Sequence, residues 1–201
     1  MSNSNLEMLR AEIAAAAARL IAEDGADYGT AKRKAAKQIL GNTRVRGEYM
    51  PDNEQIEEEV RQYNELFFGD TQPARLLHLR KVALRMMEEL DRFSPWITGA
   101  VLNGTAGEHS DVHLQLFVDS AKDVEIFLLN KNVDFDVSET AHFSNRGEPV
   151  ETLSFMWQNE GIHLALYEAG DVRGGRQQDG RLMRADADAL RKLIMESETN
   201  E

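Results

Sequence analysis

The densest run of residues able to do chemistry is 103–117, NGTAGEHSDVHLQLF. His109, Asp111, His113 and Gln115 alternate there, which places them on one face of a strand while Val112, Leu114 and Leu116 point the other way. Two imidazoles and a carboxylate are the ligand types of a non-haem iron or zinc enzyme with open coordination positions. The competing reading is plainer: polar residues at the mouth of a strand hydrogen-bond the adjoining turn. Further along, Asp134 and Asp136 form an Asp-x-Asp pair. His163 and Tyr167 share a face of GIHLALYE opposite Ile162, Leu164 and Leu166, and either line a cleft or lie under a loop or in solvent.

The totals limit what such residues could belong to. The 201 residues suffice for a sizeable core, and 42% hydrophobic with 29% charged residues is the composition of a soluble globular protein. With no cysteine, disulfides, thiolate nucleophiles and cysteine-held metal centres are excluded, so any metal must sit on His, Asp or Glu. A net charge of -12 repels nucleic acid and anionic membrane from the molecule as a whole. No apolar run is long enough to span a bilayer and MSNSNLEMLRAE does not read as a secretory signal, so a cytoplasmic protein without membrane contact is expected. Neither a Walker A lysine motif nor a Gly-x-Ser-x-Gly elbow occurs.

Stepping along the chain gives the elements that must position these groups. Leu6, Leu9, Ile13, Leu20 and Ile21 form a helical stripe among alanines, with Ser4 or Asn5 as cap and Gly25 as stop. A second helix is predicted over 30–40, and a third from Pro51 and Asp52 to Phe68. A long helix starts at Thr71 and Pro73 and breaks at Ser94-Pro95. After it, ITGAVLNG, DVHLQLFV and VDFDVSE read as strands, with a short helix over SAKDVEIFLLNKN capped by a Ser120–Asp123 box. VETLSFMWQ and GIHLALYEA form a hairpin about Asn159-Glu160, DVRGGRQQDGR is a loop, and RADADALRKLIMES is a C-terminal helix. The fold class expected is α/β in the α+β sense, a helical N-terminal region over 1–70 followed by an α/β domain over 71–201 with a mixed sheet.

The order strand, Gly-Thr turn, strand with Ser-Asp-x-His, helix, strand with Asp-x-Asp resembles the core of the nucleotidyltransferase superfamily over residues 97–137. In that family a Gly-Ser turn holds a triphosphate, two carboxylates on the next strand bind two magnesium ions, and a third carboxylate on a later strand activates the attacking hydroxyl. By position the resemblance implies that Gly104 and Thr105 are the turn, with Ser110 beside the phosphate seat. It implies Asp111 as first carboxylate, Asp134 or Asp136 as third, and magnesium or manganese on Asp111, His113 and Asp134. The catalytic set would be Asp111, His113, Asp134 and Asp136, acting on a nucleotide or phosphorylated small molecule. Two departures stand out. His113 replaces the family's second carboxylate, an imidazole where a hard ion prefers oxygen, and Gly104 precedes Asp111 by only seven positions. The whole chain is also similar to a family of proteobacterial proteins of this length, by ARLIAEDGADYGTAKRKAAKQILG and DTQPARLLHLRKVAL.

A reading from another class rests on Lys32, Arg33, Lys34, Lys37, Arg44 and Arg46, which lie in a window, 29–47, with no acidic residue. Such a run is a solvated helix face, free or docked on acidic residues, or a nucleic-acid or partner surface of a regulatory protein.

Overall fold

A computed structural model describes residues 3–144, 147–175, 177–178 and 181–200 of the chain. The fold is mixed α/β, with seven α-helices and a five-stranded mixed sheet among the described residues. It divides into two compact units. One runs to Arg75 and takes in Thr105–His109; the other holds Leu76–Gly104 and the chain from Ser110 onward.

The first unit contains α1 (Asn3–Asp24), α2 (Tyr28–Leu40), α3 (Asn53–Phe68) and the opening of α4 (Gln72–Glu89). Small side chains let its helices approach: Ala14, Ala17 and Ala18 of α1 and Ala31, Ala35 and Ala36 of α2 are buried with Ile13, Ile56 and Val60. Caps set the ends. Asp27 accepts from the Thr30 amide at 2.9 Å to start α2, and Asp52 and Gln55 form a reciprocal capping box at the head of α3. Gly25 takes a left-handed φ of 67° and returns its N–H to Ile21, which stops α1 as its sequence implies.

The second unit is built on the sheet. Its strands are β1 (Trp96–Thr98), β2 (Val112–Val118), β3 (Asp136–Thr140), β4 (Val150–Trp157) and β5 (Glu160–Glu168), in the order β1-β2-β5-β4-β3. β2 and β5 are parallel and all other neighbours antiparallel. Between strands lie α5 (Gly99–Asn103) and α6 (Ala121–Asn130), and α7 (Ala187–Thr199) closes the chain behind its Asp186 cap. One sheet face is apolar: Val112, Leu114 and Leu116 align with Ile162, Leu164 and Leu166, and Leu153 with Leu164, all buried. Each such side chain contributes about 1.5–3 kcal/mol through loss of water contact. Among the described residues no helix is long and apolar enough to cross a membrane.

Three local readings change. ITGAVLNG is not one strand: Gly99 adopts a φ of 74° right after β1, and the chain turns into the five-residue helix α5, ended by Gly104 at a φ of 90°. Ser120 makes no side-chain cap at α6; its carbonyl instead accepts from the Asp123 amide at 3.2 Å. The segment read as a loop carries a 3-10 turn at Ala169–Arg173 and a short ladder of Gln177–Gln178 with Arg181–Leu182; Arg176, Asp179 and Gly180 lie outside the described residues.

Candidate functional site

The sheet face opposite the apolar one carries a polar row. Strand register sets Thr98 beside His113, His113 beside His163, His163 beside Ser154 and Ser154 beside Asp136, one residue from each of the five strands. Because alternate residues of a strand share a face, the row's members on β2, β5 and β4 are flanked by inward residues such as Leu114, Leu164 and Leu153. Asp111 precedes β2 at the same end of the sheet. Asp111, Asp134, Asp136, Ser154 and His163 all line one cleft of ≈ 590 Å³.

Local folding explains how they arrive there. Asn132 takes a left-handed φ of 56° after α6, and the Val133 N–H returns to the Leu128 carbonyl at 3.0 Å. That reversal leads the chain through Asp134 into β3, so both members of the Asp-x-Asp pair reach the cleft. The β4–β5 hairpin turns on Gln158 and Asn159, with φ of 51° and 63°, the geometry that suits the twist of a tight two-residue hairpin. That turn sets Ser154 opposite His163.

Hydrogen bonds link three of these residues in series. Ser154 Oγ lies 2.8 Å from His163 Nδ1, and His163 Nε2 lies 2.8 Å from Asp111 Oδ2. A carboxylate only accepts, which puts the ring hydrogen on Nε2 and leaves Nδ1 to accept from the serine hydroxyl. His113 stacks on His163, ring centroids 4.7 Å apart and planes within 16°. His113 is exposed as a residue, yet its ring is crowded enough that loss of water, followed by repulsion from His163, lowers its pKa from 6.5 to about 4. It is a neutral imidazole at neutral pH. Gly161 lies against Asp111: a Cβ there would fall 2.5 Å from Oδ1 and 2.8 Å from Oδ2.

The other sequence-predicted residues are not among the lining of that cleft. Gly104 closes α5, and its N–H is given to the Ala100 carbonyl at 3.0 Å. The neighbouring carbonyls of Val101 and Leu102 accept from the buried guanidinium of Arg80, whose pKa burial lowers. Thr105 is buried in the helical unit, where its carbonyl accepts from Asn64 Nδ2 at 3.1 Å. Ser110 directly precedes Asp111 and is half-buried. His109 lies ahead of the strand rather than on it, packed against Gly25 in the helical unit beside a separate cavity of ≈ 540 Å³. The alternating His109–Asp111–His113 set therefore does not share one strand face.

The sequence resemblance implies a metal on Asp111, His113 and Asp134. Among the described residues no group of three or more His, Asp or Glu is placed to hold an ion. Asp111 Oδ2 is engaged by His163, and the His113 ring is stacked on that same imidazole.

Neither Ser154 nor the pairing of His163 with Asp111 is predicted from the sequence. The signal was present in the hairpin. A turn at Asn159-Glu160 would set Met156 across from His163, whereas a turn one residue earlier sets Ser154 there.

No family model matches the chain. No curated protein matches it. Among solved structures it is similar to a chain described as "structure of GLD-2/RNP-8 complex", with a TM-score of 0.32 and 19% identity, covering 58% of this chain and 48% of that one. The chain thus spans about half the length of that solved chain.

Proposed function

We infer that the protein is a nucleotidyltransferase-like protein that binds a nucleotide or another phosphorylated small molecule at the cleft end of its sheet. The observation that carries this reading is the convergence of Asp111, Asp134 and Asp136, from separate stretches of chain, on a single cleft. The alternation of strand, short helix, strand, helix and strand from β1 to β3 supports it.

Charge decides how such a ligand would enter. The cleft lining contains three carboxylates and no lysine or arginine among the described residues, so a bare phosphate would be repelled. A nucleotide carrying its own divalent cation would not. Magnesium is commonly held by one or two protein carboxylates together with substrate phosphates and water, which needs no third protein ligand. Asp134 and Asp136 are the carboxylates to meet the cation of an incoming magnesium or manganese nucleotide. Thermal denaturation with nucleoside triphosphate, with Mn²⁺ or Mg²⁺, and with both tests this: stabilisation is expected only from the pair, about 2.7 kcal/mol at a hundredfold excess over Kd. Equal melting in all three conditions would contradict it.

A second reading has its own observation. Arg33, Lys34 and Lys37 of α2 and Arg44 and Arg46 beyond it are all exposed, in a window free of acidic side chains. Such a face suits a polyanion, RNA or DNA, held through phosphates.

A further inference from the structure

We propose that Ser154 is a nucleophile toward phosphorus electrophiles, with His163 as its general base and Asp111 as the positioning residue that orients that base. The nucleophile and base are within hydrogen-bond reach, 2.8 Å, and the base is held by a third group at another 2.8 Å. A hydroxyl, a base within reach of it and a third group that orients the base are the parts of an activated nucleophile. The three residues come from β4, β5 and the entry to β2, and their relative places are fixed by strand register rather than by flexible loops. All three line the cleft, where a ligand can reach them; the His163 and Asp111 side chains are 29% and 45% exposed. The stacked ring of His113 limits rotation of His163, and the missing side chain of Gly161 leaves room for the Asp111 carboxylate. The sequence around Ser154, Thr152-Leu153-Ser154-Phe155-Met156, has none of the glycines of a nucleophile elbow, so no motif betrays it.

The step balances without a redox partner. Ser154 Oγ bonds to phosphorus while the bond from phosphorus to the leaving group breaks, and the leaving group departs with the electron pair. The hydroxyl proton moves to His163 Nδ1, while Nε2–H keeps its bond to Asp111, and the resulting imidazolium later yields its proton to solvent. Choosing phosphorus rests on the phosphorylated-ligand reading above; the activation of Ser154 does not.

A second chain of the same atom types provides an internal control. Ser144 Oγ lies 2.8 Å from His142 Nδ1 and His142 Nε2 3.2 Å from Asp171 Oδ2, but serine and histidine are there two residues apart in one turn. The probe is diisopropyl fluorophosphate, a neutral phosphorus electrophile that the acidic lining does not repel, with the adduct located by peptide mass. The full chain is expected to gain one adduct, on Ser154, and Ser154→Ala to gain none. His163→Gln, which keeps a polar side chain but no base, should slow labelling about 100-fold. Ser144→Ala should label like wild type. An unlabelled Ser154 in folded wild type, equal rates in His163→Gln, or an adduct on Ser144 instead would each overturn the proposal. Labelling of Ser154 in a protein that no nucleotide stabilises would remove only the phosphorylated-ligand reading; nucleotide binding without labelling would remove only the nucleophile.

Discussion

Ser154 and His163 stand directly opposite each other on β4 and β5, and the 2.8 Å contact between Ser154 Oγ and His163 Nδ1 joins the two halves of the hairpin across its polar face. The neighbouring pair, Leu153 and Leu164, is buried on the other face. One hairpin thus supplies both core and cleft, and the residue that decides its register also decides which side chain meets the histidine.

Gly161 provides the sharpest test of how Asp111 is placed. Alanine there would bring a methyl group to within 2.5–2.8 Å of the Asp111 carboxylate, whereas its backbone lies outside the left-handed region. A carboxylate at the end of a side chain can move aside, so Gly161→Ala should fold. It should nevertheless lose the His163–Asp111 contact and label with diisopropyl fluorophosphate at least about 10-fold more slowly. A crystal structure of the variant with Asp111 still 2.8 Å from His163 would contradict this account of the glycine.

His113 sets a pH dependence. Its folded pKa of about 4 lies below the 6.5 of the free side chain, so the unfolded chain binds more protons between those values and stability falls as pH drops through that window. Solvent screening at an exposed residue keeps the loss to about 1 kcal/mol, or about 2–4 °C in Tm for a chain of this size. His113→Asn should lose less stability than wild type between pH 6.5 and 4 in paired thermal melts. Parallel profiles would show that the ring titrates as it does in water.

The basic face of α2 makes a separable prediction. If it grips RNA or DNA, log K should fall linearly with log salt, each neutralised phosphate adding about 0.7–0.9 to the slope. Replacing Lys34 and Lys37 by glutamate should weaken binding at least about 10-fold and flatten that slope, while Asp136→Asn leaves both unchanged. Fluorescence anisotropy at several salt concentrations reads this, and binding insensitive to those substitutions would remove α2 as the surface.

Much of the architecture was legible because periodicity and caps report local chemistry. Leu6, Leu9 and Ile13 mark α1, Asp52 marks the head of α3, and the alternation of Val112, Leu114 and Leu116 marks β2. The cleft was legible in part. Asp111, Asp134 and Asp136, which the resemblance points to, line one cleft; Gly104 and Thr105 are not among its lining residues, and the bend after β1 is made by Gly99, twelve residues ahead of Asp111. ITGAVLNG is apolar enough to read as a strand, and only the left-handed backbone at Gly99 shows where it ends. Ser154 was missed because its significance is a relation to His163, fixed by a turn one residue from the one composition suggested.

The claim on which the functional account turns is that the acidic cleft takes a phosphorylated ligand together with its cation. Isothermal titration of the full chain with nucleoside triphosphate in Mg²⁺, and again in chelator, tests it most directly. The account predicts saturable one-site binding in Mg²⁺ that disappears in chelator and in the double variant Asp134→Asn, Asp136→Asn. Absence of binding in Mg²⁺, or binding that survives both treatments, would contradict it.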